Sequence, residues 1–281
     1  MYYVKPVTTV EAVQAGLSPG AYYLAGGTDL ILQWRRRQIQ PQTLVDLGGV
    51  QELKTISCEG PFLVIGSMVT FSELLRSALI REQAAALWQA CQTMGSPAIR
   101  NQATIGGNLG NCSPAADALP ALLALGAQVN LFSASGEETV DLAELLLRQP
   151  LLSPGTLIRA FRLPLAGWQS GFAKLGRRRA LAIARLSVAV SVNLDGRCVS
   201  GIRVAMGAVG PRAFLAEGLA NELKDREVNE EWFELAATGA QGVVREALGA
   251  RASAPYKRVA VGGVMREALA FMSVEGGSVR W

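Results

Sequence analysis

Two glycine pairs carry the residue types best suited to chemistry. The first lies in Leu24-Ala25-Gly26-Gly27-Thr28-Asp29-Leu30, after the apolar run Tyr22-Tyr23-Leu24-Ala25. The second lies in Arg100-Asn101-Gln102-Ala103-Thr104-Ile105-Gly106-Gly107-Asn108 and reads as a loop following a helix. Glycine lets backbone N–H groups approach an anion closely and tolerates positive φ. A helix N-terminus adds a favourable dipole for phosphate. Thr28, Thr104 and Asn108 add side-chain donors at the rims. Neither stretch matches G-x-G-x-x-G or a Walker P-loop, and no lysine flanks either pair. This argues against a triphosphate and for a diphosphate gripped by neutral donors. A pair of tight turns has the same composition, so residue types and spacing lead to a dinucleotide binder and no further.

What the chain lacks narrows its chemistry. It has 281 residues, no histidine and four cysteines, Cys58, Cys91, Cys112 and Cys198. Serine–histidine and cysteine–histidine catalysis are excluded within the chain, as are histidine-ligated metal sites. No two cysteines have the C-x-x-C spacing of a ferredoxin-type cluster. Scattered thiols suit a reducing compartment. No residue is assigned as a metal ligand or as a catalytic acid or base, so redox chemistry would come from an organic cofactor.

The net charge is +4, with clusters Arg35-Arg36-Arg37 and Arg177-Arg178-Arg179. Without a broad basic surface interleaved with aromatics, these read as solvated or interface arginines, and no nucleic-acid partner is expected. No apolar run is long enough to span a membrane. The N-terminus lacks a signal-peptide pattern, so a cytoplasmic protein is expected.

Elements that position the glycine pairs follow from periodicity and turn signals. Thr28 or Asp29 is placed to cap a helix through Leu30, Ile31, Leu32 and Trp34. Leu44–Leu47 and Phe62–Ile65 read as buried strands, and Phe71–Leu79 and Glu82–Gln92 as helices. Ala116–Leu125 reads as a helix, Gln128–Phe132 and Leu157–Leu163 as strands. The second half changes grammar. Leu181–Leu194 and Cys198–Ala208 are β-prone runs flanking Asp195-Gly196, a hairpin signal. Helices are expected over Ala213–Leu223, Glu230–Leu248 and Tyr256–Phe271. Strands followed by helices indicate a separate α+β unit, with the boundary near Pro164 to Gly171.

The order of motifs adds a resemblance. Ala25-Gly26-Gly27-Thr28-Asp29-Leu30 is followed by Leu44-Val45-Asp46-Leu47 and Ile65-Gly66-Ser67-Met68-Val69-Thr70. Next come Ile99 through Asn108, Ser113-Pro114-Ala115-Ala116-Asp117, and finally Tyr256-Lys257-Arg258. Nearly the whole chain resembles the medium, FAD-binding subunit of the xanthine dehydrogenase and carbon monoxide dehydrogenase family. The Thr104–Asn108 stretch followed by Asp117 is the most specific part.

The resemblance implies an α+β protein with a vanillyl-alcohol-oxidase-type FAD-binding fold. Its two α+β subdomains would fill an FAD-binding domain over 1–166. A C-terminal antiparallel sheet with a helical bundle would follow over 167–281. It implies that Tyr23, Leu24, Ala25, Gly26, Gly27, Thr28, Asp29 and Leu30, with Thr104, Ile105, Gly106, Gly107 and Asn108, hold the FAD diphosphate. Asp117 matches a polar FAD contact, Ile158 an apolar one, Lys174 a residue near the flavin end, and Ile183 a neighbour of the ring. Met94 falls where some relatives carry an aromatic contact. By residue type alone Asp117 is equally a helix cap, Lys174 a surface lysine, and Ile158, Ile183 and Met94 plain core. The resemblance also implies partners: a large subunit with the molybdenum cofactor and a small subunit with [2Fe–2S] clusters. Electrons would pass from the clusters through FAD to NAD or another acceptor, in a xanthine dehydrogenase-like complex. A carbon monoxide, aldehyde or aromatic dehydrogenase flavin subunit, and a stand-alone flavin oxidoreductase of the same fold, are the alternatives.

Overall fold

The computed structural model describes residues 1–177, 183–270, 273–274 and 277–278. In chain order the elements are β1 (Tyr2–Val4), α1 (Thr9–Gly16), β2 (Ala21–Leu24), α2 (Leu30–Arg35), β3 (Thr43–Asp46), β4 (Ile56–Glu59) and β5 (Phe62–Gly66). Helices α3 (Phe71–Arg76), α4 (Ala78–Gln83), α5 (Ala85–Thr93), α6 (Pro97–Arg100), α7 (Ile105–Asn111) and α8 (Ala118–Ala124) follow. Then come β6 (Gln128–Ser133), β7 (Gly136–Asp141), α9 (Leu142–Leu145), β8 (Leu157–Pro164), β9 (Gln169–Gly176), β10 (Ala184–Asp195), β11 (Cys198–Gly207) and β12 (Phe214–Leu215). The helices α10 (Glu217–Leu223), α11 (Glu230–Leu248) and α12 (Ala254–Leu269) precede a two-residue strand pair, Ser273–Val274 with Gly277–Ser278.

These elements form two compact units. The first comprises Met1–Arg76, Ser96–Cys112 and Ala127–Pro164; the second comprises Ser77–Gly95, Ser113–Gly126 and Leu165–Trp281. The first unit holds a three-stranded parallel sheet in the order β1-β3-β2. It also holds a five-stranded antiparallel sheet in the order β4-β5-β8-β6-β7. Ala12 and Val13 of α1 share a buried cluster with Val45, Leu47, Leu53, Met68 and Leu157. Thr8 caps α1 by accepting from the Glu11 backbone N–H at 3.2 Å.

In the second unit the antiparallel order is β12-β11-β10-β9. Leu186, Val188, Val190 and Val192 alternate along β10 and join a buried cluster with Val244 of α11 and Val261, Val264 and Met265 of α12. The intervening Ser187, Ala189 and Ser191 are also buried. Gly207 pairs with Ser187 and lies against Pro120 of α8. Ser170, paired with Ser191, accepts from the Ala86 N–H at the start of α5. Helices thus cover both faces of β10, which is why its sequence shows no polar alternation.

The Asp195-Gly196 hairpin and α11 follow the sequence expectation. Several expectations change. Phe71–Leu79 and Glu82–Gln92 become three helices, because Ser77 accepts from the Ile80 N–H and restarts the chain as α4, and Ala84, at φ −140° and ψ 53°, leaves the helical conformation beyond it. Ala213–Leu223 begins as β12, drawn into the sheet by pairing with Ala205 and Met206, before α10 starts. The second glycine stretch is helical rather than a loop: α7 starts at Ile105. Leu181 and Phe271, ends of two expected elements, and Arg178 and Arg179 of the second arginine cluster lie outside the described residues. Arg35, Arg36 and Arg37 are all exposed. Among the described residues, no helix is long and apolar enough to cross a membrane, and no group of three or more His, Cys, Asp or Glu is placed to hold a metal.

Candidate flavin site

In the first unit the two glycine stretches meet. A methyl built on Gly26 would sit 1.9 Å from the Gln102 carbonyl oxygen and 3.0 Å from the Ala103 Cα. One built on Gly107 would touch the Ala25 Cβ at 3.7 Å. Gly26 is therefore glycine because the second stretch lies against its Cα. Gly27 has φ +68°, a left-handed conformation that glycine adopts without strain.

The two stretches differ in what they offer an anion. The N–H groups of Gly26, Gly27, Thr28 and Asp29 have no acceptor among the described residues. A run of four unpaired donors, two of them on glycine, is an arrangement able to cradle phosphate oxygens. Asp29 is the N-cap of α2 but its side chain makes no capping bond, and Thr28 supplies none either, contrary to expectation. In α7 the backbone donors are spent internally. Ile105 N–H donates to the Val69 carbonyl at 3.0 Å and Gly106 N–H to the Ser67 carbonyl at 2.8 Å. Gly107 N–H donates to Thr104 Oγ1 and Asn108 N–H to the Thr104 carbonyl, both at 3.0 Å. The expectation that both backbones present free N–H groups is corrected: α7 backs the cradle, and its contribution comes from side chains. Thr104 caps α7 by accepting from the Gly107 N–H, a bond that leaves its own O–H able to donate.

Buried atoms without partners mark where a ligand would complete the bonding. Ser67 Oγ, Asn108 Oδ1 and Asp117 Oδ1 are buried and have no hydrogen-bond partner. Such groups are costly unless something supplies the missing bond. Ser67 was absent from the sequence-based set. It packs directly against Gly106, whose added methyl would lie 2.5 Å from the Ser67 Cβ. The Gly66-Ser67 pair within its motif was the available signal. Tyr23 lies on β2, and its hydroxyl donates to the Gly155 carbonyl at 3.0 Å; burial pushes its pKa up to about 12. Leu24 closes β2 and Leu30 opens α2. Ile158, on β8, is buried with its Cδ1 facing Gly110 of α7.

In the second unit, Lys174 and Asp117 form a buried ion pair. Lys174 Nζ donates to Asp117 Oδ2 at 2.5 Å and to the Thr93 carbonyl at 2.9 Å. The two side chains are only 6 and 7% exposed. Lys174 is thus no surface lysine. Asp117, although it precedes α8, makes no capping bond. Burial pushes the Asp117 carboxyl up to about 6, against the attraction of the Lys174 ammonium and the hydrogen bond it donates. Met94 is the half-buried residue that ends α5, next to Thr93. Ile183 is no core residue: it is 80% exposed, immediately before β10.

In the first unit, a glycine-lined run of free N–H donors, together with the orphaned Ser67 Oγ and Asn108 Oδ1, is suited to a phosphate-bearing organic cofactor. Comparison with known proteins identifies it. Residues 1–166 match the family model described as the FAD binding domain in molybdopterin dehydrogenase, and residues 172–271 match the CO dehydrogenase flavoprotein C-terminal domain. The carbon monoxide dehydrogenase medium chain of Hydrogenophaga pseudoflava is 30% identical over 94% of this chain and 93% of its own. The xanthine dehydrogenase FAD-binding subunit of Escherichia coli O157:H7 is 29% identical over 74% of each chain. A solved carbon monoxide dehydrogenase from H. pseudoflava superimposes with a TM-score of 0.88 at 30% identity, covering 96% of both chains. The chain belongs to the family of FAD-binding subunits of molybdenum hydroxylases, and it is a subunit of an oxidoreductase.

Proposed function

We propose that this chain is the flavin station of a heteromeric molybdenum hydroxylase. Its partners would be a large subunit with the molybdenum cofactor and a small subunit with [2Fe–2S] clusters. Substrate hydroxylation would occur in the large subunit. When bound, FAD supplies the electron-transfer chemistry between those clusters and NAD or another acceptor. The chain itself needs no acid–base dyad. The Gly26–Asp29 cradle binds the diphosphate, with α7 and Ser67 behind it. Asn108 Oδ1 and Asp117 Oδ1 accept the hydrogen bonds they lack. Lys174 holds the Asp117 carboxylate in place, and Ile158, Met94 and Ile183 supply apolar contacts. The FAD-binding domain would be 1–166 and the C-terminal domain 167–281, in a cytoplasmic protein.

The observation that carries this reading is the run of four free N–H groups set against the second glycine stretch. For the complex, xanthine or another purine is the proposed substrate. A carbon monoxide, aldehyde or aromatic substrate is the second reading, favoured by the H. pseudoflava relative, which is 30% identical over 94% of this chain against 29% over 74% for the xanthine dehydrogenase subunit. The test has two parts. The purified protein should be yellow and release FAD on denaturation; a colourless protein that takes up no added FAD refutes the reading. Affinity purification from its source should recover a molybdopterin-containing chain and an iron–sulfur chain, and the large chain, assayed with xanthine and with carbon monoxide, decides the substrate. A chain that is bleached by substrate on its own would instead be a self-sufficient flavin oxidoreductase.

A further inference from the structure

The second unit contains a cavity of about 370 Å³ to which none of the residues assigned to FAD contributes. Its charged lining consists of Arg185 and Lys257, with no carboxylate, and Tyr256, Ser253, Pro114 and Ala208 complete the parts that matter. Lys257 Nζ donates to the Ala208 carbonyl at 2.6 Å, leaving two of its three donors unspent. Arg185 has no ion-pair partner among the described residues; its guanidinium lies 5.9 Å from the centre of the Tyr256 ring. Ser253 precedes the sixteen-residue α12 without spending its hydroxyl on a capping bond. Two cations share this cleft, and Arg251 lies close enough to act on Lys257: the Lys257 pKa is lowered, first by burial, then by Arg185 and Arg251. Like charges held together this way are stabilised by an anion between them.

Size and charge narrow the ligand. A lining charge of two is matched by a dianion, which favours a phosphate monoester over a single carboxylate. The space is several times larger than a phosphate and falls within the range of small-molecule sites. The half-exposed face of Tyr256 offers the remaining volume a stacking surface. We propose that this cleft binds a phosphate monoester carried on a planar ring, with Arg185 and Lys257 on the phosphate, Ser253 as an added hydrogen-bonding group, and Tyr256 against the ring. This is a second anion site, formed by α12, the start of β10 and the Pro114 segment. It does not depend on the FAD reading, because neither glycine stretch takes part in it.

The test is equilibrium binding of AMP to the purified protein as isolated, with adenosine as the uncharged control and bound flavin measured in parallel. AMP is expected to bind saturably and more weakly as salt rises, and adenosine to bind far less. Arg185→Gln and Lys257→Met should each weaken AMP by roughly tenfold to a hundredfold, the effect of losing a charged hydrogen bond, with flavin content unchanged. Should Lys257→Met not fold, having lost its bond to the Ala208 carbonyl, Arg185→Gln decides alone. The proposal is overturned by three results: no saturable AMP binding, equal AMP affinity in a folded Arg185→Gln protein, or loss of flavin from that folded protein, which would make the cleft part of the FAD site. A protein that is isolated without flavin and takes up no added FAD, yet binds AMP in a manner weakened by Arg185→Gln, contradicts the earlier reading and leaves this one standing.

Discussion

Replacing Gly26 with alanine tests the junction of the two glycine stretches with one methyl group. That methyl would lie 1.9 Å from the Gln102 carbonyl oxygen, whereas real Cβ atoms come no closer than about 3.0 Å. The strands of chain must therefore part by at least about 1.1 Å. Gln102 cannot swing aside cheaply. Its N–H and that of Ala103 are both bonded to the Ile99 carbonyl, and the Ala103 carbonyl receives the Phe71 N–H at 3.1 Å. Overpacking of this kind costs about 1–3 kcal/mol of stability, a fall in melting temperature of several degrees. The effect on flavin is larger. The displacement moves the free N–H groups of Gly26 and Gly27, and two charge-assisted bonds are worth about 3–6 kcal/mol. FAD affinity should fall by roughly two to four orders of magnitude. Titration of the apo protein with FAD, followed by flavin fluorescence, measures this, with thermal melting in parallel. Gly107→Ala is the matched control, since its methyl meets only Thr104 Oγ1 at 3.0 Å and the Ala25 Cβ at 3.7 Å and should leave the fold intact. If Gly26→Ala binds FAD with wild-type affinity and melts at the wild-type temperature, the close approach plays no part in holding the cofactor.

The Asp117 carboxyl has a folded pKa of about 6 against an ordinary 3.8, so its contribution to stability is full below about 3.8 and lost as pH rises through about 6. That difference amounts to on the order of 3 kcal/mol; the melting temperature of wild type minus that of Asp117→Asn should decline across this window, and a flat difference would contradict the burial argument. Lys174→Met leaves Asp117 buried without its cation and should destabilise by about 3–5 kcal/mol near neutral pH. Combined with Asp117→Asn, part of the loss should return in chemical denaturation, whereas simple additivity would deny the coupling. Tyr23→Phe removes the bond to the Gly155 carbonyl at a cost of about 1 kcal/mol, read from the same denaturation curves. Gly242, inside α11 with open space around its missing Cβ, should accept alanine with a gain of about 0.5–1 kcal/mol; a loss would mean that α11 is packed more tightly there than its geometry indicates.

Legibility in the sequence followed the range of the interaction. The Asp195-Gly196 hairpin and α11 are local, and turn chemistry and periodicity place them within a residue or two. Helix α7 was also readable in principle. Thr104 is a capping residue, and Ile105 and Leu109, both buried, stand at i and i+4. Two glycines in the first turn, each costing about 1 kcal/mol of helix propensity, argued for a loop, and tertiary burial overrode them. The site's decisive contacts are non-local. Nothing near Lys174 announces a carboxylate 57 residues away, and its burial reverses the default for lysine. Gly26 looks like any turn glycine until Gln102 is placed on it. Beyond its place beside Gly66 in the Ile65–Thr70 motif, nothing in the sequence singles out Ser67, because its importance lies in an unanswered hydroxyl under Gly106. The motif order supplied by family resemblance bridged part of this gap by naming both members of the Asp117–Lys174 pair without joining them.

The path of the chain through the first unit sets a timetable for synthesis. That unit is assembled from three separate stretches, and the last, Ala127–Pro164, delivers β8. In the five-stranded sheet β8 lies between β5 and β6, so the middle of the sheet is missing until residue 164 has been made. A nascent chain long enough to contain both glycine stretches therefore still lacks the strand that closes the layer beside them. Long-range pairings of this kind form late, because loop closure must precede the contacts that reward it. Flavin capture should consequently be a late event in biogenesis, and chains stalled between residues 141 and 157 should expose unpaired β5 and β6 edges to chaperones rather than a half-built cofactor site.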